Sequence, residues 1–234
     1  MAMRLDRIIA NTGLYTRREA VKLICQGRIS VDGCVVMSGS EKFDPETISV
    51  KIDGEPVEYR KYYYIMLNKP GGYISSTEDA REKTVMDILD DKYAKLGLFP
   101  AGRLDKDAEG LLLLTNDGEF AHAITSPAKK IDKSYFVEID GTISEDDVEA
   151  AASGIILKDG TKCRPAILRQ TESGVIITLH EGKYHQVKRM MAALGKPVKY
   201  LKRVAIGGLT LDENLKVGEY RELNDEIKLI FTHK

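Results

Sequence analysis

The chain has 234 residues, of which 43% are apolar and 30% charged, with a net charge of −1. That composition suits a soluble globular protein, long enough for one large domain or a small one followed by a medium one. The three cysteines, Cys25, Cys34 and Cys163, make no CxxC pair and are odd in number, so reduced thiols in a cytoplasmic protein are expected rather than a disulfide framework. The four histidines form no HExxH or cysteine–histidine cluster, so a metal site is not expected. The N-terminus lacks a long apolar run, which predicts neither a signal peptide nor a membrane span.

The first stretch, "RLDRIIANTGLYTRREAVKLICQGRISVDGCVV", predicts two short helices and a hairpin. Thr16 and Glu19 form a T-x-x-E capping box for the second helix, and Gly27 ends it. Asp32-Gly33 is a two-residue hairpin signal, and a second strand–DG–strand pattern follows in "ISVKIDGEPVEY". The polar string at about 55–61 marks the expected boundary between a domain at 1–59 and one at 60–234. Next, "YYYIMLNKP" predicts a strand and residues 84–90 a helix. The apolar run 111–114 predicts a strand covered on both sides. Asn116-Asp117-Gly118 closes it and starts another helix. Further on, "DKSYFVEIDG" and "GVIITLHEG" predict strands, "SEDDVEAAASG" a capped helix, and the last forty residues short strands. In "KYHQVKRMMAALG", predicted helical to Gly195, Val187, Met190, Met191 and Leu194 make one apolar stripe, with His185, Lys188 and Arg189 on another face. The expected fold class is α+β: a small αα-hairpin domain, then a mixed, mainly antiparallel sheet with flanking helices.

Charge is unevenly spread. Residues 1–28 hold six Lys/Arg against two acids, a local +4, and residues 183–203 hold seven Lys/Arg and no acid, a local +7, leaving −12 elsewhere. Two basic zones on an acidic body suit a polyanion-binding face.

Between them lies "AGRLDKDAEGLLLLTNDGEF", where a charged turn precedes four leucines. Asp105 can be a simple turn cap. It can equally sit at a pocket entrance with Arg103 holding its carboxylate ionised, ready to act as nucleophile or general base. The residues alone leave both open.

"GRLDKDAEGLLLLTNDG" resembles the catalytic-aspartate motif of the RsuA-type pseudouridine synthases. "MLNKPGGYISS", "KSYFVEI" and "EGKYHQVKRMMAALG" with "LKRVAIGGLTL" resemble three further motifs of that family, in the same order. The N-terminal stretch is similar to a small RNA-binding domain shared with a ribosomal small-subunit protein. Ala108 departs from the threonine common in the family, so that hydroxyl is not essential here if the match holds. The "YHQVKRM" and "IGG" wording resembles the subgroup acting on small-subunit rRNA.

The resemblance implies isomerisation of a uridine in 16S rRNA, at the position usually numbered 516, to pseudouridine, with no cofactor and no metal. It assigns Asp105 as nucleophile or base, leaving open which atom it attacks. Arg103 and Lys188 flank it, and Tyr135 stacks on the target base. Leu179 lines the substrate pocket, with Asn68 and Lys69 supporting it. Arg4, Arg17, Arg18, Lys22 and Arg28, with Lys183 and Arg189, are the expected RNA contacts. The expected partner is 16S rRNA or a small-subunit assembly intermediate, met by a cytoplasmic monomer away from any membrane. Two other readings remain: a non-catalytic RNA-binding ribosome-assembly factor, and a metal-dependent hydrolase or nuclease with Asp105 and Asp107 as paired ligands. The lack of a histidine or acid cluster argues against the second.

Overall fold

The computed structural model describes residues 2–232. They form two compact units, one of residues up to 63 together with 89–98, the other of residues 64–88 together with 99 onward.

In the first unit, helices α1 (Leu5–Ala10) and α2 (Arg17–Cys25) pack on a four-stranded sheet. The capping box forms: the Thr16 hydroxyl accepts the Glu19 N–H at 3.3 Å and the Glu19 carboxylate accepts the Thr16 N–H at 2.7 Å. Strands β1 (Ile29–Val31) and β2 (Cys34–Val35) meet at Asp32-Gly33, and β3 (Val50–Ile52) and β4 (Glu55–Val57) at Asp53-Gly54. All four turn residues have positive φ, the geometry that favours Asp-Gly in tight hairpins. Leu5, Ile8, Ile9, Leu23 and Ile24 from the helices close over Ile29, Val31, Val50 and Ile52 as one core. Residues 89–98, which the sequence places in the second domain, belong to this unit: Lys95 donates to the Leu14 carbonyl at 3.1 Å, and Tyr93, Leu96 and Leu98 are buried.

The second unit is built on strands β5 (Tyr64–Lys69), β6 (Glu109–Thr115), β7 (Lys133–Glu138), β8 (Ile167–Gln170), β9 (Val175–Leu179), β10 (Tyr200–Ile206) and β11 (Tyr220–Leu223). Their order is β8-β9-β7-β10-β6-β5-β11, with two-residue strands Phe99–Pro100 on β6 and Leu209–Thr210 on β10. Every pairing is antiparallel except β10 with β6, so the fold is α+β with a mainly antiparallel sheet. Helices α3 (Gly118–Thr125), α4 (Glu145–Ser153) and α5 (Gln186–Ala193) flank it.

Leu111, Leu112, Leu113 and Leu114 are all fully buried, as a strand covered on both faces requires. Each contributes roughly 2 kcal/mol relative to exposure. Just before them Gly110 has φ +99°, and a Cβ there would lie 2.3 Å from the Arg203 carbonyl oxygen. Only glycine permits the parallel approach that pairs Gly110 with Arg203.

Three elements differ from expectation. Residues 84–90 hold one turn of 3-10 helix, Val85–Ile88, whose start is capped by the Asp87 carboxylate accepting the Thr84 N–H at 2.7 Å. Helix α5 begins at Gln186, leaving His185 outside it with φ +47°. The C-terminal residues Ile227–Thr232 are helical rather than strand; six residues are too few to show a period.

Candidate active site

The turn carrying Asp105 is fastened from below. Lys69 ends β5 opposite Gly110 and is 0% exposed. Its ammonium donates to the carbonyls of Ala108 at 2.8 Å, Pro70 at 2.9 Å and Lys106 at 3.2 Å. Arg203, 1% exposed on β10, donates from Nε to the Leu111 carbonyl at 2.8 Å and from Nη1 to the Arg103 carbonyl at 3.3 Å. The Ser75 hydroxyl bonds both the Leu104 carbonyl and the Leu104 N–H at 3.0 Å. Burial pushes the Lys69 ammonium down to about 8, opposed by the charges of Asp107, Glu109 and Asp105 and reinforced by that of Arg203. Held at residues 103, 104, 106, 108 and 111, the backbone on either side of Asp105 is fixed.

The Asp105 side chain borders a cavity of about 500 Å³, within the size range of small-molecule sites. Arg103, Tyr135, Leu179, Leu201, the loop from Glu181 to His185 and the first residues of α5, Gln186 and Val187, complete its walls. The cation-capable group nearest Asp105 is the His185 imidazole, with Nε2 3.7 Å from Oδ1. The left-handed backbone of His185 is over-determined. The Lys183 N–H donates to Gln186 Oε1 at 2.8 Å, Gln186 donates to Glu181, and the Glu181 carboxylate also accepts the Arg164 N–H at 2.9 Å. Burial alone would raise the Glu181 carboxyl; these bonds and Lys183 hold it below the usual range.

The structure thus brings Asp105, Arg103, Tyr135, Leu179 and Lys183 to one cavity. It separates others. Lys188, expected beside Asp105, instead bonds both Asp107 oxygens, at 2.6 and 2.5 Å, and this contact draws the Asp107 carboxyl below its usual range. Arg103 is exposed on the cavity rim and makes no ion pair with Asp105. Asn68 and Lys69 do not border the cavity, because β5 is buried along its whole length. Asn68 donates to the Leu215 carbonyl at 2.7 Å. Arg189 pairs with Asp159. In the first unit, Arg4 and Arg17 share the buried Asp6 at 2.8 and 3.3 Å, and Arg28 pairs with Asp53. Arg18 and Lys22 are exposed and make no ion pair among the described residues. A cavity of about 310 Å³ in that unit is lined by Arg4, Arg7, Arg17, Lys42 and Lys61.

Sequence reasoning missed Arg203 and Ser75 and placed His185 on a helix face. Hydropathy predicts that an arginine is exposed, so the burial of Arg203 left no sequence signal. The strand register alone reveals it.

A family model described as "RNA pseudouridylate synthase" matches residues 63–193, and one described as "S4 domain" matches residues 3–48. The chain is 44% identical over 229 residues to an "Uncharacterized RNA pseudouridine synthase YtzG" of Bacillus subtilis, covering 96% of each chain. It is also 44% identical over 229 residues to "Ribosomal small subunit pseudouridine synthase A" of Escherichia coli, covering 96% of this chain and 97% of that one. A solved structure titled "Crystal structure of pseudouridylate synthase" superimposes with a TM-score of 0.69 at 38% identity, over 98% of this chain and 100% of that chain. Among the described residues no helix is long and apolar enough to cross a membrane, and no group of three or more His, Cys, Asp or Glu is placed to hold a metal ion.

Proposed function

This chain belongs to the RNA pseudouridylate synthase family, and from that premise we propose that it converts one uridine of 16S ribosomal RNA, at the position usually numbered 516, to pseudouridine. The relative from Escherichia coli that carries a small-subunit name supports the choice of RNA. The observation that carries the chemistry is Asp105, on a backbone clamped by buried cations, facing a cavity whose walls include Tyr135 and Leu179.

The reaction breaks the N1–C1′ bond, turns the base and joins C5 to C1′. C5 gives up a proton and N1 gains one, so the isomerisation balances with no co-reactant. Asp105 acts as the nucleophile or base. Tyr135 stacks on the base and takes part in proton loss from C5. Leu179 excludes water beside it. Arg103 on the rim contacts a phosphate of the everted nucleotide or favours the Asp105 carboxylate. Lys188 acts through Asp107, holding the far side of the turn. Lys69 and Arg203 position the turn from below.

A uridine must leave its stack to reach Asp105, at a cost of a few kcal/mol. Phosphate contacts offset that cost. Arg18 and Lys22, unpaired and exposed, lead those contacts from the N-terminal domain; Arg4, Arg17 and Arg28 add to them, and Lys183 and Arg189 do so beside the cavity. The enzyme works as a cytoplasmic monomer on 16S rRNA or a small-subunit assembly intermediate, and domain 1–59 docks the RNA for domain 60–234.

Mapping pseudouridines in rRNA from cells carrying wild-type or Asp105→Asn protein tests this. Loss of one 16S pseudouridine, with RNA affinity kept, is expected. An unchanged map would return the chain to a binding-only role.

A further inference from the structure

One feature at the cavity mouth has no role in the reaction above. Tyr184 is 76% exposed, and its ring stacks on His185 with centroids 3.9 Å apart and planes 16° from parallel. The outer face of the ring is a wide π-surface open to solvent. Its hydroxyl makes no hydrogen bond among the described residues. Both rings border the same cavity as Asp105.

The stack is not an accident of a loose loop. His185 sits at φ +47°, a conformation uncommon for a residue with a side chain. The Glu181–Gln186–Lys183 bonds described above hold it there. Such strain persists where the surroundings impose it, and it gathers at functional sites. On one side His185 reaches toward Asp105; on another it supports Tyr184.

We infer that Tyr184, supported by His185, is a stacking platform for the base next to the target uridine, and so helps hold the RNA open at the site. This rests on the proposed function and deepens it. Everting a uridine unstacks its neighbour, which then exposes a π-face. Tyr184 offers a flat ring at the mouth through which the uridine passes. The surroundings suit RNA: Arg103 and Lys183 border the cavity, and Arg189 reaches the Tyr184 carbonyl at 3.4 Å. Cations beside an exposed aromatic ring are the common pattern for holding single-stranded nucleic acid, with the backbone on the charges and the bases on the rings. The exposure of Tyr184 makes substitution there mild for folding, so loss of function in a variant would report on contact rather than stability.

The test is a double-mutant cycle between protein and RNA. The RNA is a synthetic stem-loop carrying the uridine of 16S rRNA usually numbered 516, intact or with an abasic site directly 5′ or 3′ of it. The proteins are wild type, Tyr184→Ala and Tyr184→Phe. Affinity is measured on each RNA, and kcat/KM for pseudouridine formation on the same set. On intact RNA, Tyr184→Ala should weaken binding on the order of 5- to 150-fold, the range of base–aromatic stacking. Tyr184→Phe should restore it, because the ring and not the hydroxyl is what stacks. On the RNA whose stacking base is missing, wild type and Tyr184→Ala should bind alike. Equal losses on intact and both abasic RNAs would overturn the platform, as would an unweakened Tyr184→Ala. If wild-type protein forms no pseudouridine, the proposed function fails, while the affinity cycle still decides for or against stacking.

Discussion

Lys69→Met is the substitution whose outcome the structure fixes most tightly. The Lys69 ammonium is depressed from 10.5 to about 8, so the charged form weighs against the folded state by about 3 kcal/mol at pH 7. A lysine that holds its proton less firmly when folded leaves the unfolded chain with more bound protons between pH 8 and 10.5. Stability therefore rises with pH across that window, and the penalty is fully present below it. The gain is about 1 kcal/mol from pH 7 to pH 9 and about 2 to 3 kcal/mol to pH 10. In Lys69→Met this component disappears. At pH 7 the variant is relieved of the buried charge but leaves the Pro70 and Ala108 carbonyls without a donor, at about 1–3 kcal/mol each. The Lys106 carbonyl keeps the Gly72 N–H at 2.8 Å. The two effects nearly cancel, so the variant should match wild type within about 2 kcal/mol at pH 7. Turnover should nonetheless fall by about tenfold or more, because the turn beneath Asp105 has lost its grip. Urea unfolding followed by circular dichroism at pH 7, 9 and 10 gives the stability of both proteins. Parallel pH profiles would refute the buried ammonium, and undiminished turnover would refute its positioning role.

Tyr135→Phe should lower turnover by far more than it weakens RNA binding; equal activity would remove the hydroxyl from the mechanism. Arg18→Ala with Lys22→Ala should weaken RNA binding and flatten the plot of log affinity against log salt by roughly 1.5, about 0.7–0.9 for each phosphate lost; an unchanged slope would place the RNA grip elsewhere. Gly110→Ala forces a Cβ into the Arg203 carbonyl and should cost roughly 3 kcal/mol or more, near 10 °C of melting temperature. A melting point within 2 °C of wild type would show that β6 and β10 can part freely.

Local features were legible because local chemistry sets them. The Thr16–Glu19 box, both Asp-Gly hairpins and the doubly covered leucine strand formed as their residues predict. Asp105, Tyr135 and Leu179, which the family resemblance rather than any local pattern grouped, border one cavity. Pairings distant in sequence were not legible. Lys188 meets Asp107 across 81 positions, and no local pattern distinguishes that from a pairing with Asp105 two residues away. The boundary expected at 59–60 could not foresee that 89–98 packs with the first unit, since the segment is too short to announce a partner. Lys69 and Arg203 ran against hydropathy altogether, because each is buried by forming hydrogen bonds to backbone carbonyls.

Those two buried cations explain why acids crowd the turn after Arg103. A loop that must hold a reacting group to within a fraction of an ångström needs its carbonyls bonded. Here ammonium and guanidinium supply the donors. Buried cations in turn need negative charge nearby, and Asp105, Asp107 and Glu109 provide it for Lys69. Two of the three acids are then occupied: Lys188 takes Asp107, and Glu109 accepts the Tyr200 hydroxyl at 2.6 Å. Asp105 alone faces the cavity with only an imidazole 3.7 Å away. Reversing these roles, with Asp105→Asn and Asp107→Asn compared in one assay, should abolish turnover in the first and leave a measurable fraction in the second. If Asp107→Asn were the inactive protein and Asp105→Asn retained turnover, the reactive carboxylate would be the one bound to Lys188, and the assignment of the cavity would have to move with it.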